Sequence, residues 1–176
     1  MPTEAARTSA PSAPTGTAPT APSSDSRSVG NTAGVDALLA AALGFAALAE
    51  ETAELGERIT AARSRRQWHG NAPLAIDDEQ FRRVLGAARG RATVSSATAE
   101  ALRLRAERGE LDEESAAAAV VGLAELSRLS IRSVFDTVGA SATLAGQGLD
   151  GLWRRQHAAE AAGGIAALTL RVAPGV

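Results

Sequence analysis

The chain has 176 residues, with 18 basic side chains against 20 acidic ones for a net charge of −2, no cysteine, and 45% hydrophobic but only 3% aromatic residues. Every basic residue is arginine, and lysine and tyrosine are absent. These absences exclude a disulfide framework, a thiolate nucleophile, Cys-ligated zinc, Schiff-base chemistry and a P-loop lysine, while the near-even charge argues against a nucleic-acid binder.

That length suits one domain with its own core. Residues 1–30 hold Pro2, Pro11, Pro14, Pro19 and Pro22 among Ala, Ser and Thr, with Val29 as the only large aliphatic. Such a segment buries too little surface to offset its ordering entropy, so a disordered tail is expected over 1–30 and a folded domain over 31–176. The tail has no apolar run for a secretory signal, and Arg7 and Arg27 beside Glu4 and Asp25 make a poor transit peptide. No stretch approaches the ~20 apolar residues of a membrane span. The expectation is a soluble, cytoplasmic protein with neither membrane nor nucleic-acid partner.

From Asn31 onward the spacing is helical. Leu38, Ala41, Phe45, Leu48, Thr52, Leu55, Ile59 and Ala62 recur at steps of three and four, a seam across about four heptads. Asn31 or Thr32 is placed to cap its start, and the Gly70–Pro73 stretch ends or follows its finish. A second helix is predicted from Asp77 or Asp78 to about Arg108, with Gly109 closing it. Its stripe is Phe81, Leu85, Ala88, Ala92, Ser95, Ala99, Leu102 and Ala106. The small residues at its middle predict a close crossing with another helix.

A third helix is predicted from the Asp112 cap, with Glu113 and Glu114 in its first turn, to about Val138. Val120, Val121, Leu123, Leu126, Leu129, Ile131, Val134 and Phe135 point in several directions, as on the most buried helix of a bundle or one that also covers an oligomer interface. The Gly139–Gly148 loop leads to a fourth helix over about Asp150–Leu170. No segment alternates with period two. Three helices of roughly 30 residues, each about 40–45 Å long, with short links predict an all-α, up-and-down four-helix bundle.

Chemistry-bearing residues are few. Of the two histidines, His69 lies in Gln67-Trp68-His69-Gly70-Asn71, a helix end or loop where a capping or solvent-facing role is expected. His157 and Glu160 share a helix face at i, i+3. Di-iron bundles need Glu-x-x-His on two helices and further glutamates, so no metal site is assigned. Gly146-Gln147-Gly148-Leu149-Asp150-Gly151 matches G-x-G-x-x-G, but between two helices and not after a strand, which reads as coincidence. Ser141 lacks a G-x-S-x-G elbow. Glu50, Glu51, Glu54 and Glu57 fit a solvated face, and Arg63, Arg65 and Arg66 suit a helix C-terminus.

The segment Val134-Phe135-Asp136-Thr137-Val138-Gly139-Ala140-Ser141-Ala142, followed by Leu149-Asp150-Gly151-Leu152-Trp153-Arg154-Arg155, resembles the last two helices of acyl-CoA dehydrogenases. It is closest to the related flavin-dependent monooxygenases. Gly139, Leu149, Trp153 and Arg154 fall on the family pattern without a gap, and the upstream helices fit the family's C-terminal helical domain in order and length. The resemblance spans about residues 33–170. It implies that such domains pair and complete one another's flavin sites, with Phe135, Asp136, Gly139, Ser141, Trp153 and Arg154 lining a cofactor site for FAD or FMN shared with a partner chain.

This sequence departs from the family at informative places. The family's Arg-Asp pair is Arg154-Arg155, its glutamine before the turn falls on Asp136, and its catalytic base falls on Ala162 or Gly163-Gly164. Neither alanine nor glycine transfers a proton. The flavin- and substrate-holding domains that precede this unit in the family have no counterpart here. The resemblance therefore implies a stand-alone C-terminal domain, a homo-oligomer or partner of a flavoprotein chain, that completes a flavin site without supplying the base. The alternatives are a repurposed bundle enzyme or small-ligand binder using His157, Glu160 and Arg154, and a scaffold without ligand.

Overall fold

The structure, a computed structural model, describes residues 25–62, 74–139 and 148–173, with side chains of the first helix from residue 34 onward. It is all-helical among the described residues. The elements are α1 (Asp25–Ala61), α2 (Glu79–Glu107), α3 (Glu113–Val138), α4 (Leu149–Ala162) and α5 (Ile165–Val172), with a 3-10 turn at Ala75–Asp77 ahead of α2.

Helix α1 begins at Asp25, upstream of the Asn31 or Thr32 start expected from the sequence. Pro22 is the last proline before it, so no residue from Asp25 to Leu38 lacks the amide hydrogen a helix needs. Residues 25–30 lie within these helix bounds; residues 1–24 lie outside the described residues. The predicted seam is only half of the buried face. Phe45, Leu48, Thr52, Leu55 and Ile59 are buried as expected, and beside them runs a second row of Ala42, Ala46, Ala49, Ala53 and Thr60. Ala62 is exposed. The wider face follows from position, because α1 packs against α2, α3 and α4 together. Its buried threonines remain satisfied: Thr52 donates to the Leu48 carbonyl at 2.6 Å and Thr60 to the Gly56 carbonyl at 2.7 Å.

The α2 stripe from Phe81 to Leu102 is buried as its spacing predicts. Asp78 caps the helix by accepting the Gln80 N–H at 2.9 Å. At the other end Gly109 adopts φ +69, the Gly109 N–H bonds the Ala106 carbonyl, and the Glu110 N–H bonds the Arg105 carbonyl. This Schellman closure is open to glycine because a Cβ disfavours the left-handed region. The close approach expected of a small-residue crossing is sharpest at a glycine of α1. A Cβ on Gly56 would stand 3.0 Å from Val134 Cγ1 of α3 and 3.1 Å from Leu85 Cδ2 of α2.

Helix α3 touches every other helix. Asp112 caps it, accepting the Ser115 N–H and hydroxyl, both at 2.7 Å, and these bonds hold its carboxyl below the usual range. Val120, Leu123, Ala124, Ile131, Val134 and Val138 are buried, while Leu129 stays exposed and Val121 and Leu126 are half-buried, so the apolar arc is broad without closing the circle.

The single fourth helix expected over Asp150–Leu170 is two helices. Gly163 and Gly164 divide it, with Gly164 at φ +59, ψ +35. The Gly163 N–H bonds the Ala159 carbonyl at 2.8 Å and the Gly164 N–H bonds the Ala161 carbonyl at 3.2 Å, which ends α4 and redirects the chain. Helix α5 lies against α3 but buries none of its residues completely.

The acidic row of α1 is more than a solvated face. Glu57 receives both Arg89 Nε at 3.1 Å and Nη2 at 2.7 Å from α2, Glu50 accepts the Ser96 hydroxyl at 2.8 Å, and Glu51 pairs with Arg155 of α4 at 2.6 Å. These exposed bonds link α1 to α2 and α4 at the surface, over the apolar packing between the helices.

Candidate functional site

Helix α4 docks through Leu149, Leu152 and Gln156, one stripe at steps of three and four. The third member is an amide only 1% exposed, and it needs partners to be buried there. Its Nε2 donates to the Ala124 carbonyl at 3.1 Å and to Glu160 Oε1 at 3.0 Å, while its Oε1 accepts the Ser127 hydroxyl at 2.6 Å. These partners fix which way the amide faces. Glu160 is thereby anchored one turn further along α4, with Oε2 3.4 Å from His157 Nδ1 and Oε1 3.8 Å from Arg128 Nε.

The His157 ring stands edge-on to Trp153, centroids 4.7 Å apart at 83°, and Trp153 lies 6.3 Å from Phe135 at 45°. Residues 153, 157 and 160 share one face of α4. A polar chain from Ser127 through Gln156 to Glu160 thus meets an aromatic row from Phe135 through Trp153 to His157.

Two grooves flank that meeting point. The first, about 410 Å³, runs between the C-terminal end of α3 and the first turns of α4; Arg128, Arg132, Phe135, Asp136, Asp150, Trp153 and His157 line it. The second, about 740 Å³, lies between α3 and the α4–α5 pair, with walls that include Val121, Gly122, Ala161, Ile165 and Ala166 and with Glu125, Glu160 and Thr169 among its polar groups. Arg128 and His157 border both.

The charges of the first groove are committed locally. Arg128 bonds Glu125, and that carboxylate raises the guanidinium's pKa above its ordinary value. Arg132 stands 3.8 Å from Asp136, and Asp150 pairs with Arg154 at 3.1 Å. The groove therefore offers two aromatic rings to a planar ring system, but every guanidinium on its wall already has a carboxylate beside it.

The structure brings together four of the expected site residues, Phe135, Asp136, Trp153 and His157, and sets Glu160 beside the last. It separates Arg154, which points outward with its side chain 78% exposed and lines neither groove. Gly139 ends α3 at φ +74. Ser141, His69, Arg63, Arg65 and Arg66 lie outside the described residues, as do Gly146 and Gln147; Gly148 precedes α4 in the left-handed region. Ala162 is exposed at the end of α4 and Gly163 follows it, so no proton-transferring side chain stands where the family resemblance puts the base. Among the described residues no group of three or more His, Asp or Glu side chains is placed to hold a metal ion, and no helix is long and apolar enough to cross a membrane.

Sequence reasoning missed Gln156, Ser127, Arg128 and Arg132. For Gln156 a signal existed: a long polar side chain at the next core position after Leu149 and Leu152. For Ser127 the signal was its place four residues after Leu123 and four before Ile131. The arginines carried none, because surface arginines recur throughout the chain. Compared with known protein families, curated proteins and solved structures, the chain matches none.

Proposed function

We propose that this chain is a non-catalytic helical subunit of a flavin-dependent oxidoreductase of the acyl-CoA dehydrogenase type. It pairs with a second copy or with a flavoprotein chain and lends its aromatic groove as one wall of a flavin site. The observation that carries this reading is the convergence of Phe135 and Trp153, two of only five aromatic residues in the chain, in one open groove. Phe45 and Phe81 are core residues by contrast. Pairing is what the resemblance implies; the exposed Leu170, Leu129 and Val94 stand on three different helices, α5, α3 and α2. When bound, a flavin supplies the redox chemistry. This chain would contribute ring contacts from Phe135 and Trp153 and would leave phosphate binding and proton transfer to its partner.

Light scattering on the purified full chain, followed by FAD and FMN titration read on Trp153 fluorescence in a Trp68→Phe background, tests the reading. The expected mass is at least twice the 17.9 kDa of one chain, with a flavin response lost in Phe135→Ala. A monomer that is also silent to both flavins rejects the self-paired form and leaves pairing with a flavoprotein chain as the one form of the reading that stands. The second reading, a small-ligand site of its own, draws on the approach of His157 to Glu160 and predicts a colourless protein whose ligand binding or activity is lost in His157→Ala.

A further inference from the structure

The larger groove has two ends of different chemistry. Along α3, α4 and α5 its walls are apolar and mostly small, with Val121, Gly122, Ala161, Ile165 and Ala166 facing one trough. At the other end Arg128 lies between two carboxylates, bonded to Glu125 and 3.8 Å from Glu160. Two carboxylates, Glu125 and Glu160, stand against one guanidinium at that end, with His157 Nδ1 3.4 Å from Glu160 Oε2. Glu160 is only 22% exposed and is braced from behind by the buried Gln156 amide, so its carboxylate stays aimed into the groove at little entropic cost. Helix α5 forms the remaining wall. It buries no residue completely and joins α4 through Gly163-Gly164, while Ile165 and Leu168 pack against the core and Arg171 pairs with Glu113 at 2.9 Å, so the wall is held in place.

We propose that this groove binds a small amphiphilic amine, its hydrocarbon body along the apolar trough and its ammonium group donating to Glu160. A carboxylate head fits poorly there, because the guanidinium it would need is already bonded to Glu125 and it would face Glu160 directly. The proposal does not rest on the flavin reading and is tested without flavin or partner.

The test is calorimetric titration of the full chain at pH 7 with n-octylamine, n-octanol and n-octanoate, which share one tail and differ in head. Octylamine is expected to bind saturably, about tenfold or more tighter than octanoate, as a charge-assisted hydrogen bond would give. Glu160→Gln is expected to weaken octylamine about tenfold and leave octanol unchanged. An added Cβ at Gly122 meets nothing within 4 Å, so Gly122→Leu, a larger side chain on the groove wall, is expected to abolish binding of all three with helical circular dichroism retained. Octanoate binding as tightly as octylamine, or indifference of octylamine to Glu160→Gln, overturns the head assignment. Absence of saturable octylamine binding, or binding that survives Gly122→Leu, overturns the site.

Discussion

Gln156 Nε2 donates to Glu160 Oε1 at 3.0 Å while Gln156 Oε1 accepts the Ser127 hydroxyl at 2.6 Å, so one buried amide joins the core of the bundle to a carboxylate at its surface. Removing either end leaves a buried polar atom unmatched. Gln156→Ala is expected to lower stability by about 2–4 kcal/mol through lost packing and hydrogen bonds, and Ser127→Ala by about 1–2 kcal/mol. Ser130, three residues on, is equally buried, yet its hydroxyl has no partner among the described residues. Ser130→Ala should therefore be neutral or stabilising, and urea denaturation of the three variants reads the contrast. A Ser127→Ala protein as stable as Ser130→Ala would show that the amide is not fixed as described.

Gly56 sits where α1 meets both α2 and α3. Alanine there gains helix propensity of up to about 1 kcal/mol but drives a methyl group against Val134 and Leu85, and overpacking costs about 1–3 kcal/mol. Gly56→Ala is expected to lower the melting temperature and Gly56→Val to lower it further. At Gly90, on the exposed face of α2, nothing lies within 4 Å of an added Cβ, so Gly90→Ala should stabilise by about 0.5–1 kcal/mol. Thermal unfolding followed by circular dichroism compares them directly.

The Asp112 cap makes a pH-dependent contribution. The Ser115 N–H first, and then the Ser115 hydroxyl, hold its carboxyl below the ordinary value, so folding favours the ionised form. That stability is fully present above the unfolded pKa of about 3.9 and is lost as pH falls through the lower folded value. Asp112→Ala should melt about 2–4 °C below the parent at pH 7. The gap should close as pH drops from 5 towards 2, and a gap constant over that range would remove the cap from the account.

Gly164 holds a left-handed conformation at the α4–α5 break, where a Cβ costs about 1–2 kcal/mol. The effect of Gly164→Ala should stay local, because α5 buries no residue completely and is tied to α3 by packing of Ile165 and Leu168 and by the Arg171–Glu113 pair at 2.9 Å. Hydrogen exchange should quicken over 165–172 and remain unchanged over 113–138. Uniform quickening would mean that α5 is part of the cooperative core.

Much of the fold was legible one helix at a time. The Asp112 cap, the Gly109 stop and the Phe81–Leu102 stripe depend on neighbours within a few residues, and each was readable from spacing and capping chemistry alone, whereas the start of α2 was narrowed only to Asp77 or Asp78. The break at Gly163-Gly164 was less so, since two glycines lower helix propensity without stating which way the chain turns. The second buried row of α1 was hidden for another reason: its alanines satisfy a helix equally well inside or out, and only the number of packed neighbours decides which.

Half of the candidate site was visible in the same way. His157 with Glu160, and Phe135 with Trp153, could be paired from helical spacing and from the resemblance. What the sequence by itself determined is an all-helical chain with named caps and stripes, poor in aromatics and in nucleophiles. Tertiary structure decided the rest. It set Arg128 between Glu125 and Glu160, turned Arg154 outward, and joined Ser127 to Gln156 across 29 residues. Periodicity fixes which side of its own helix a residue occupies, whereas the azimuth and depth at which two helices meet arise from packing between distant segments, and that meeting decides which polar side chains share a groove.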